Sequence, residues 1–173
     1  TVDAGWYGGA IDQPWHLLVG HWEEKQSAAF HGRMREFADQ VRAAGLGFGL
    51  WMEPERFGSG APIRAQHPDW FVDAGGGYAH IDLTRPAAAA WLRAEIDRLV
   101  DTYRLAWMKI DFNFELGPDP HRRAHAGYFE TWHRLLADLS ARHPETIFEA
   151  CASGGMRMDL AMARLHPFHF LSD

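Results

Sequence analysis

Several short apolar runs in the sequence are followed directly by polar residues that could do chemistry. The carboxylates at the ends of successive runs are Asp3, Glu53, Glu55, Asp82, Asp111, Glu149 and Asp173. If the runs are parallel strands, their carboxyl ends meet on one face of the fold. Carboxylates that converge there from separate strands suit general acid/base or nucleophilic catalysis.

Asp111 is the strongest candidate among these carboxylates. It lies between the apolar residues Ile110 and Phe112, with Lys109 two residues before it and Asn113 two residues after it. Because alternate residues of a strand point to the same side, Lys109, Asp111 and Asn113 should line one face. A neighbouring cation keeps a carboxylate ionised, as a nucleophile requires. A purely structural Lys–Asp pair at a strand end is the alternative interpretation.

Two further segments could contribute to a site. Asp173 follows the short apolar run 168–171, although it could equally be an exposed residue at the end of that strand. Cys151 begins a loop that contains Gly154, and glycine lets a ligand approach the backbone closely. A plain tight turn would explain the same loop. The histidines fit no close metal-ligand spacing, so no metal site is predicted.

The apolar runs alternate with segments of helical periodicity, which predicts an α/β fold with a parallel sheet. We predict six strands, beginning near positions 1, 46, 80, 105, 146 and 168. Their average spacing would need roughly 230–270 residues for eight units, the usual size of a (β/α)8 barrel. The sequence therefore predicts a partial (β/α)8 TIM barrel with about six of eight parallel strand–helix units. Residues 1–173 are expected to form one barrel fragment, truncated at its C-terminal side. A doubly wound open sheet is the weaker alternative, since no Gly-rich turn leads from the first strand into a helix.

The amino-acid composition argues against two kinds of partner, nucleic acids and membranes. The formal net charge of −6 argues against nucleic acid, whose binders carry clustered Lys and Arg. No apolar stretch approaches the roughly 20 residues that a membrane helix needs. The single cysteine cannot form an internal disulfide. We therefore expect a protein with no nucleic acid or membrane partner.

Seven motifs in order give the sequence a family resemblance. They are Asp3–Gly8, Gly49–Glu55, His67–Trp70, Asp82–Pro86, Lys109–Asn113, Cys151–Asp159 and Leu171–Asp173. Together they resemble the catalytic domain of glycoside hydrolase family 36, the bacterial α-galactosidases or melibiases. The resemblance implies a (β/α)8 barrel, a retaining mechanism and no cofactor. It also implies an α-galactoside-type carbohydrate as substrate, a cytoplasmic location and a full-length protein that could form homo-oligomers.

The resemblance also implies roles for individual residues. By their positions in the motifs, Asp111 resembles the nucleophile and Asp173 the general acid/base. The implied substrate-binding residues are Asp3, Trp51, Lys109, Asn113, Cys151 and Gly154. Among them, Lys109 and Asp3 resemble residues that contact sugar hydroxyls, and the Cys151–Gly154 loop resembles the pocket near the 2-position of the sugar.

Some positions depart from the family pattern. Ala4 follows Asp3 where the family often has a second Asp, and Gly75–Tyr78 replaces a segment that often contains a sugar-contacting Arg. These differences leave open an α-N-acetylgalactosaminidase or a raffinose-synthase-like galactosyl transferase of the same family. A sugar-binding barrel without catalysis is a further alternative. A metal-dependent barrel hydrolase would need histidine ligands at strand ends, which the sequence does not supply.

Overall fold

A parallel four-stranded sheet lies at the centre of the molecule. The computed structural model describes residues 1–27, 30–117 and 124–171. The parallel strands are β1 (Gly49–Met52), β5 (Trp107–Ile110), β6 (Ile147–Ala150) and β7 (Phe168–His169), hydrogen-bonded in the order β1-β5-β6-β7. Val2 extends this sheet by a parallel bridge to Leu50, on the side of β1 away from β5. The predicted α/β architecture with parallel strands is confirmed.

A second, antiparallel sheet contains β2 (Arg56–Phe57), β3 (Phe71–Gly75) and β4 (Tyr78–Ile81), in the order β2-β4-β3. The prediction that the segment beginning at residue 80 is a parallel barrel strand was therefore wrong. The glycines 75–77 all have positive φ and close a hairpin between β3 and β4. The alternation of apolar residues does not distinguish a hairpin strand from a parallel strand, and β1 pairs directly with β5 instead.

Helices alternate with the strands along the chain. They are α1 (Met34–Ala43), α2 (Pro62–Gln66), α3 (Pro86–Tyr103), α4 (Ala124–Arg142) and α5 (Leu160–Leu165), with 3-10 turns at Trp15–Leu17 and Pro68–Trp70. In β5, Met108 and Ile110 belong to the buried core, whereas Trp107 and Lys109 face the other side and are half-buried. No helix in the described part of the chain is long and apolar enough to span a membrane.

The apolar residues of α3 form one buried face. Leu92, Ile96, Leu99 and Tyr103 recur at helical spacing and are all buried. Pro86 occupies the first turn of this helix, where its missing N–H costs no intrahelical hydrogen bond. This packing fixes the sheet and thereby the loops that follow the carboxyl ends of its strands.

Candidate active site

The Asp111 carboxylate lies at the carboxyl end of β5 and is 5% exposed. The backbone N–H of Asp111 donates to the Met52 carbonyl over 2.8 Å, and this hydrogen bond holds Asp111 against the end of β1. Oδ2 accepts hydrogen bonds from Trp51 Nε1 at 2.9 Å and from Asn113 Nδ2 at 2.8 Å. Oδ1 accepts the Phe112 backbone N–H at 2.8 Å. The carboxylate is thus buried but well supplied with donors.

These donors decide the ionisation state of Asp111. Burial alone would raise the pKa of the carboxyl, because it disfavours the charged form. Hydrogen bonds from Trp51, Asn113, Cys151 and the Phe112 amide outweigh burial and hold the pKa below its ordinary value. Asp111 is therefore an anion at neutral pH, the state that a carboxylate nucleophile requires.

Cys151 places a neutral thiol beside this anion. It follows β6, and its N–H donates to the Ile110 carbonyl over 2.8 Å. Burial, followed by the hydrogen bond to Asp111, raises the pKa of the thiol to about 12. The side chain therefore keeps its proton and can donate it towards the carboxylate. The Gly154 amide forms a backbone hydrogen bond with the same thiol, and Gly154 has a φ of +79°.

Lys109 and Asp3 form an ion pair at the rim of the same face. Lys109 Nζ lies 3.6 Å from Asp3 Oδ2 and 4.3 Å from the centre of the Phe170 ring. The Asp3 side chain is 67% exposed and open to solvent and to a ligand, whereas the Lys109 side chain is 14% exposed. The sequence predicted that a cation keeps Asp111 ionised. In the structure, the main effects that lower the pKa of Asp111 are hydrogen bonds from neutral donors.

Trp51 is buried and is supported from below by other aromatic residues. Its ring stacks on Tyr7, with ring centres 6.0 Å apart and planes inclined by 14°. Its carbonyl accepts the Trp6 Nε1 proton over 2.9 Å. Trp51 is thus a fixed hydrogen-bond donor to Asp111 in this structure, in addition to any contact that it makes with a ligand.

Asn113 joins the end of β5 to two other loops. Its backbone N–H donates to Glu53 Oε1 over 2.7 Å, and its Oδ1 accepts the Ser153 hydroxyl over 3.0 Å. The structure therefore brings together Trp51, Asp111, Asn113 and the Cys151–Gly154 loop, with the Lys109–Asp3 pair on the same side of the sheet. The predicted acid/base, Asp173, lies outside the described residues.

Two buried carboxylates beside the site belong to the predicted strand-end set but received no individual role from the sequence. Glu53 and Glu55 are both essentially inaccessible to solvent. Glu53 pairs with Arg56 at 2.5 Å, and Glu55 pairs with Arg157 at 2.7 Å. The alternating spacing of Glu53 and Glu55 after an apolar run is a visible signal in the sequence. Arg157 is 102 residues from its partner, so no local pattern could connect them.

The buried pair at Glu55 braces the loop that carries Cys151. Arg157 Nη1 contacts both oxygens of Glu55, and Tyr128 donates its hydroxyl proton to the same carboxylate. The Arg157 guanidinium also lies 3.6 Å from the centre of the Phe112 ring, next to the nucleophile candidate. Within residues 1–27, 30–117 and 124–171, no group of three or more His, Cys, Asp or Glu could hold a metal ion.

Parallel strands that alternate with helices along the chain, with a hydrogen-bonded carboxylate at the carboxyl end of one strand, place the chain in the α/β class. The Melibiase family model matches residues 1–173. The chain belongs to that family.

Relatives with assigned names agree with this placement. Alpha-galactosidase Mel36A of Lactobacillus acidophilus is 28% identical over 188 residues, which cover 100% of this chain and 25% of the relative. The alpha-galactosidase of Escherichia coli is 30% identical over 177 residues, covering 96% of this chain and 25% of the relative. This chain thus spans about a quarter of the length of the relatives that it matches.

Solved structures confirm the barrel class. The glycoside hydrolase family 36 alpha-galactosidase AgaA of Geobacillus stearothermophilus has a TM-score of 0.86 and 26% identity to this chain. The match covers 99% of this chain and 26% of AgaA. Variants of AgaA have been solved in complex with stachyose and with raffinose. The described sheet and helices correspond to part of the TIM barrel of these enzymes.

Proposed function

We propose that the protein containing this chain is a retaining α-galactosidase that releases terminal α-D-galactosyl residues from oligosaccharides or glycoconjugates. The observation that carries the proposal is the ionised Asp111 carboxylate, buried at a strand end and held by four hydrogen-bond donors, in a chain of the Melibiase family. The names of the relatives and the stachyose and raffinose complexes of AgaA support an α-galactoside as substrate.

The proposed reaction has two displacement steps. Asp111 attacks the anomeric carbon of the galactosyl unit, and the bond to the leaving oxygen breaks as that oxygen takes a proton from Asp173. A covalent galactosyl ester on Asp111 results. Asp173 then removes a proton from water, whose oxygen attacks the anomeric carbon and frees Asp111. Two inversions give net retention, and this mechanism needs the two carboxyl groups about 5–5.5 Å apart.

The remaining site residues have proposed roles in binding the sugar. The Lys109–Asp3 pair at the rim offers a cation and a carboxylate to the sugar hydroxyls, a combination that recognises polar rings. Cys151 and the Gly154 backbone lie beside Asp111 and would face the 2-position of the ring. An N-acetyl group at that position needs more room than a hydroxyl, so this loop would decide between galactosides and N-acetylgalactosaminides.

A panel of nitrophenyl glycosides assayed with the full-length protein tests this function. We expect hydrolysis of the α-galactoside at least about 100-fold faster, as kcat/KM, than of the α-glucoside, β-galactoside or α-N-acetylgalactosaminide. Proton NMR of the first product should show α-galactose. The proposal would be contradicted by any of three results: no hydrolysis of the α-galactoside, faster hydrolysis of the N-acetyl substrate, or β-galactose as the first product.

A further inference from the structure

We propose that Glu53 is a positioning residue for the Asp111 nucleophile and acts through the backbone of Asn113. The inference rests on the proposed function, because it names a residue that supports the same reaction. Glu53 follows β1 directly, and Asp111 follows the neighbouring strand β5. The two strands pair in parallel with Met52 opposite Ile110, so the two carboxylates leave the sheet side by side.

Glu53 is fully buried and both of its oxygens have donors. Oε1 accepts the Asn113 backbone N–H over 2.7 Å, and Oε2 accepts Arg56 Nη2 over 2.5 Å. Arg56 itself packs against two neighbouring aromatic rings, with its guanidinium 5.0 Å from the centre of the Tyr78 ring and 5.8 Å from that of Phe114. The carboxylate therefore has a fixed orientation.

Asn113 needs this support because it lies beyond the hydrogen-bonded ladder of β5, which ends at Ile110. Its backbone N–H is bound by Glu53, while its side chain donates to Asp111 Oδ2 and accepts from Ser153. A shift of the Asn113 backbone would move the amide that holds Asp111. The path from Glu53 to the nucleophile thus runs through two hydrogen bonds of 2.7 and 2.8 Å.

Glu53 does not qualify as a second acid/base. Its oxygens point at N–H donors of the protein, and a fully buried side chain offers no oxygen to a substrate. Glu55, two residues further on, is bound to Tyr128 and Arg157 instead and has no such connection to Asn113. The positioning role therefore belongs to Glu53 among these two carboxylates.

A matched pair of double variants in the full-length protein isolates the acceptor at position 53. Glu53→Met with Arg56→Met removes both charges, so no buried ion is left unpaired, and it also removes the acceptor for the Asn113 amide. Glu53→Gln with Arg56→Met removes the same charges but keeps the side-chain carbonyl oxygen as an acceptor. The two variants differ only at position 53, where Gln keeps an acceptor for the Asn113 amide and also brings a side-chain NH2.

We expect the variant with Met at both positions to lose about 100-fold in kcat with KM changed by less than about threefold, since misplacing a nucleophile affects mainly the transition state. The variant with Gln at position 53 should stay within about tenfold of the wild-type kcat. Equal kcat values in the two variants would overturn the inference.

If the variant with Met at both positions does not fold, Glu53→Asp replaces it. That side chain keeps a charge beside Arg56 but is too short to hold both partners, and a wild-type kcat would again overturn the inference.

A crystal structure of the same variants separates this inference from the proposed function. An inactive wild-type protein on α-galactosides would refute the proposed function alone. The structural comparison needs no substrate. We expect the Asn113 Nδ2 to Asp111 Oδ2 distance to exceed about 3.5 Å, beyond a hydrogen bond, when the acceptor at position 53 is removed. An unchanged distance would overturn the positioning role, whatever the activity of the wild-type protein.

Discussion

The indole N–H of Trp51 donates to Asp111 Oδ2 over 2.9 Å, across the boundary between two neighbouring parallel strands. Trp51 is buried and rests on Tyr7, so this donor has little freedom to move. The contact links Trp51, one of the predicted substrate-binding residues, directly to the charge on the nucleophile candidate. Through Trp51, the pKa of Asp111 therefore also depends on how Tyr7 holds the Trp51 ring.

Replacement of Trp51 by Phe should therefore shift the pH dependence of the reaction. The hydrogen bond favours the ionised form of Asp111, so its loss raises the pKa of that carboxyl. Because the reaction needs the carboxylate, the acidic limb of kcat/KM against pH should move to higher pH. Loss of one hydrogen bond to a charged group should also cost about 10–100-fold in kcat/KM at the optimum.

Trp107→Phe is the matched control for this experiment. The Trp107 indole N–H also donates to a carboxylate, Glu149, at the same distance of 2.9 Å, but not to Asp111. Its removal should leave the acidic limb in place. An identical shift in both variants, or none in Trp51→Phe, would refute the link between Trp51 and the charge on Asp111.

The Cys151 thiol should resist alkylation in the native protein. Burial and the neighbouring Asp111 anion raise its pKa to about 12, so almost no thiolate forms at neutral pH. We expect iodoacetamide at pH 7.5 to modify Cys151 in the native protein at least about tenfold more slowly than in urea-unfolded protein. Mass spectrometry of the peptide that contains Cys151 measures both rates. Fast alkylation of the native protein would show a thiolate and contradict the hydrogen bond to Asp111.

Arg157 should matter mainly for stability. Arg157→Met leaves the Glu55 carboxylate buried without its cation, which should lower the free energy of unfolding by about 3–5 kcal/mol. Glu55→Gln combined with Arg157→Met removes both charges and should recover at least half of that loss. Urea unfolding of the full-length variants measures both values. A double variant no more stable than the single one would show that the stacking of Arg157 on Phe112 dominates instead.

Parts of this structure were predictable because they depend on local patterns. The spacing of Leu92, Ile96 and Leu99 predicts the buried face of α3, and the buried Met108 and Ile110 show the alternation expected of a strand. The meeting of strand ends predicts that Asp111 and Cys151 approach each other. These features follow from periodicity and from the common edge of parallel strands.

Other parts depend on how distant loops fold back, and no local pattern contains that information. The hairpin of β3 and β4 contradicted the expected parallel strand, since a glycine turn reverses the chain. The contacts from Glu53 to Asn113 and from Arg157 to Glu55 join residues 60 and 102 positions apart. The role of Asp173 stays a prediction from the family resemblance.

Azide rescue of Asp111→Ala in the full-length protein tests the central proposal most directly. The variant should lose at least about 1,000-fold in kcat on nitrophenyl α-galactoside, because the covalent step has no nucleophile. Sodium azide, small enough for the space that the carboxylate leaves, should restore part of the rate and give β-galactosyl azide, identified by NMR. Wild-type activity without azide, or a lost activity that azide leaves unrestored, would contradict Asp111 as the nucleophile.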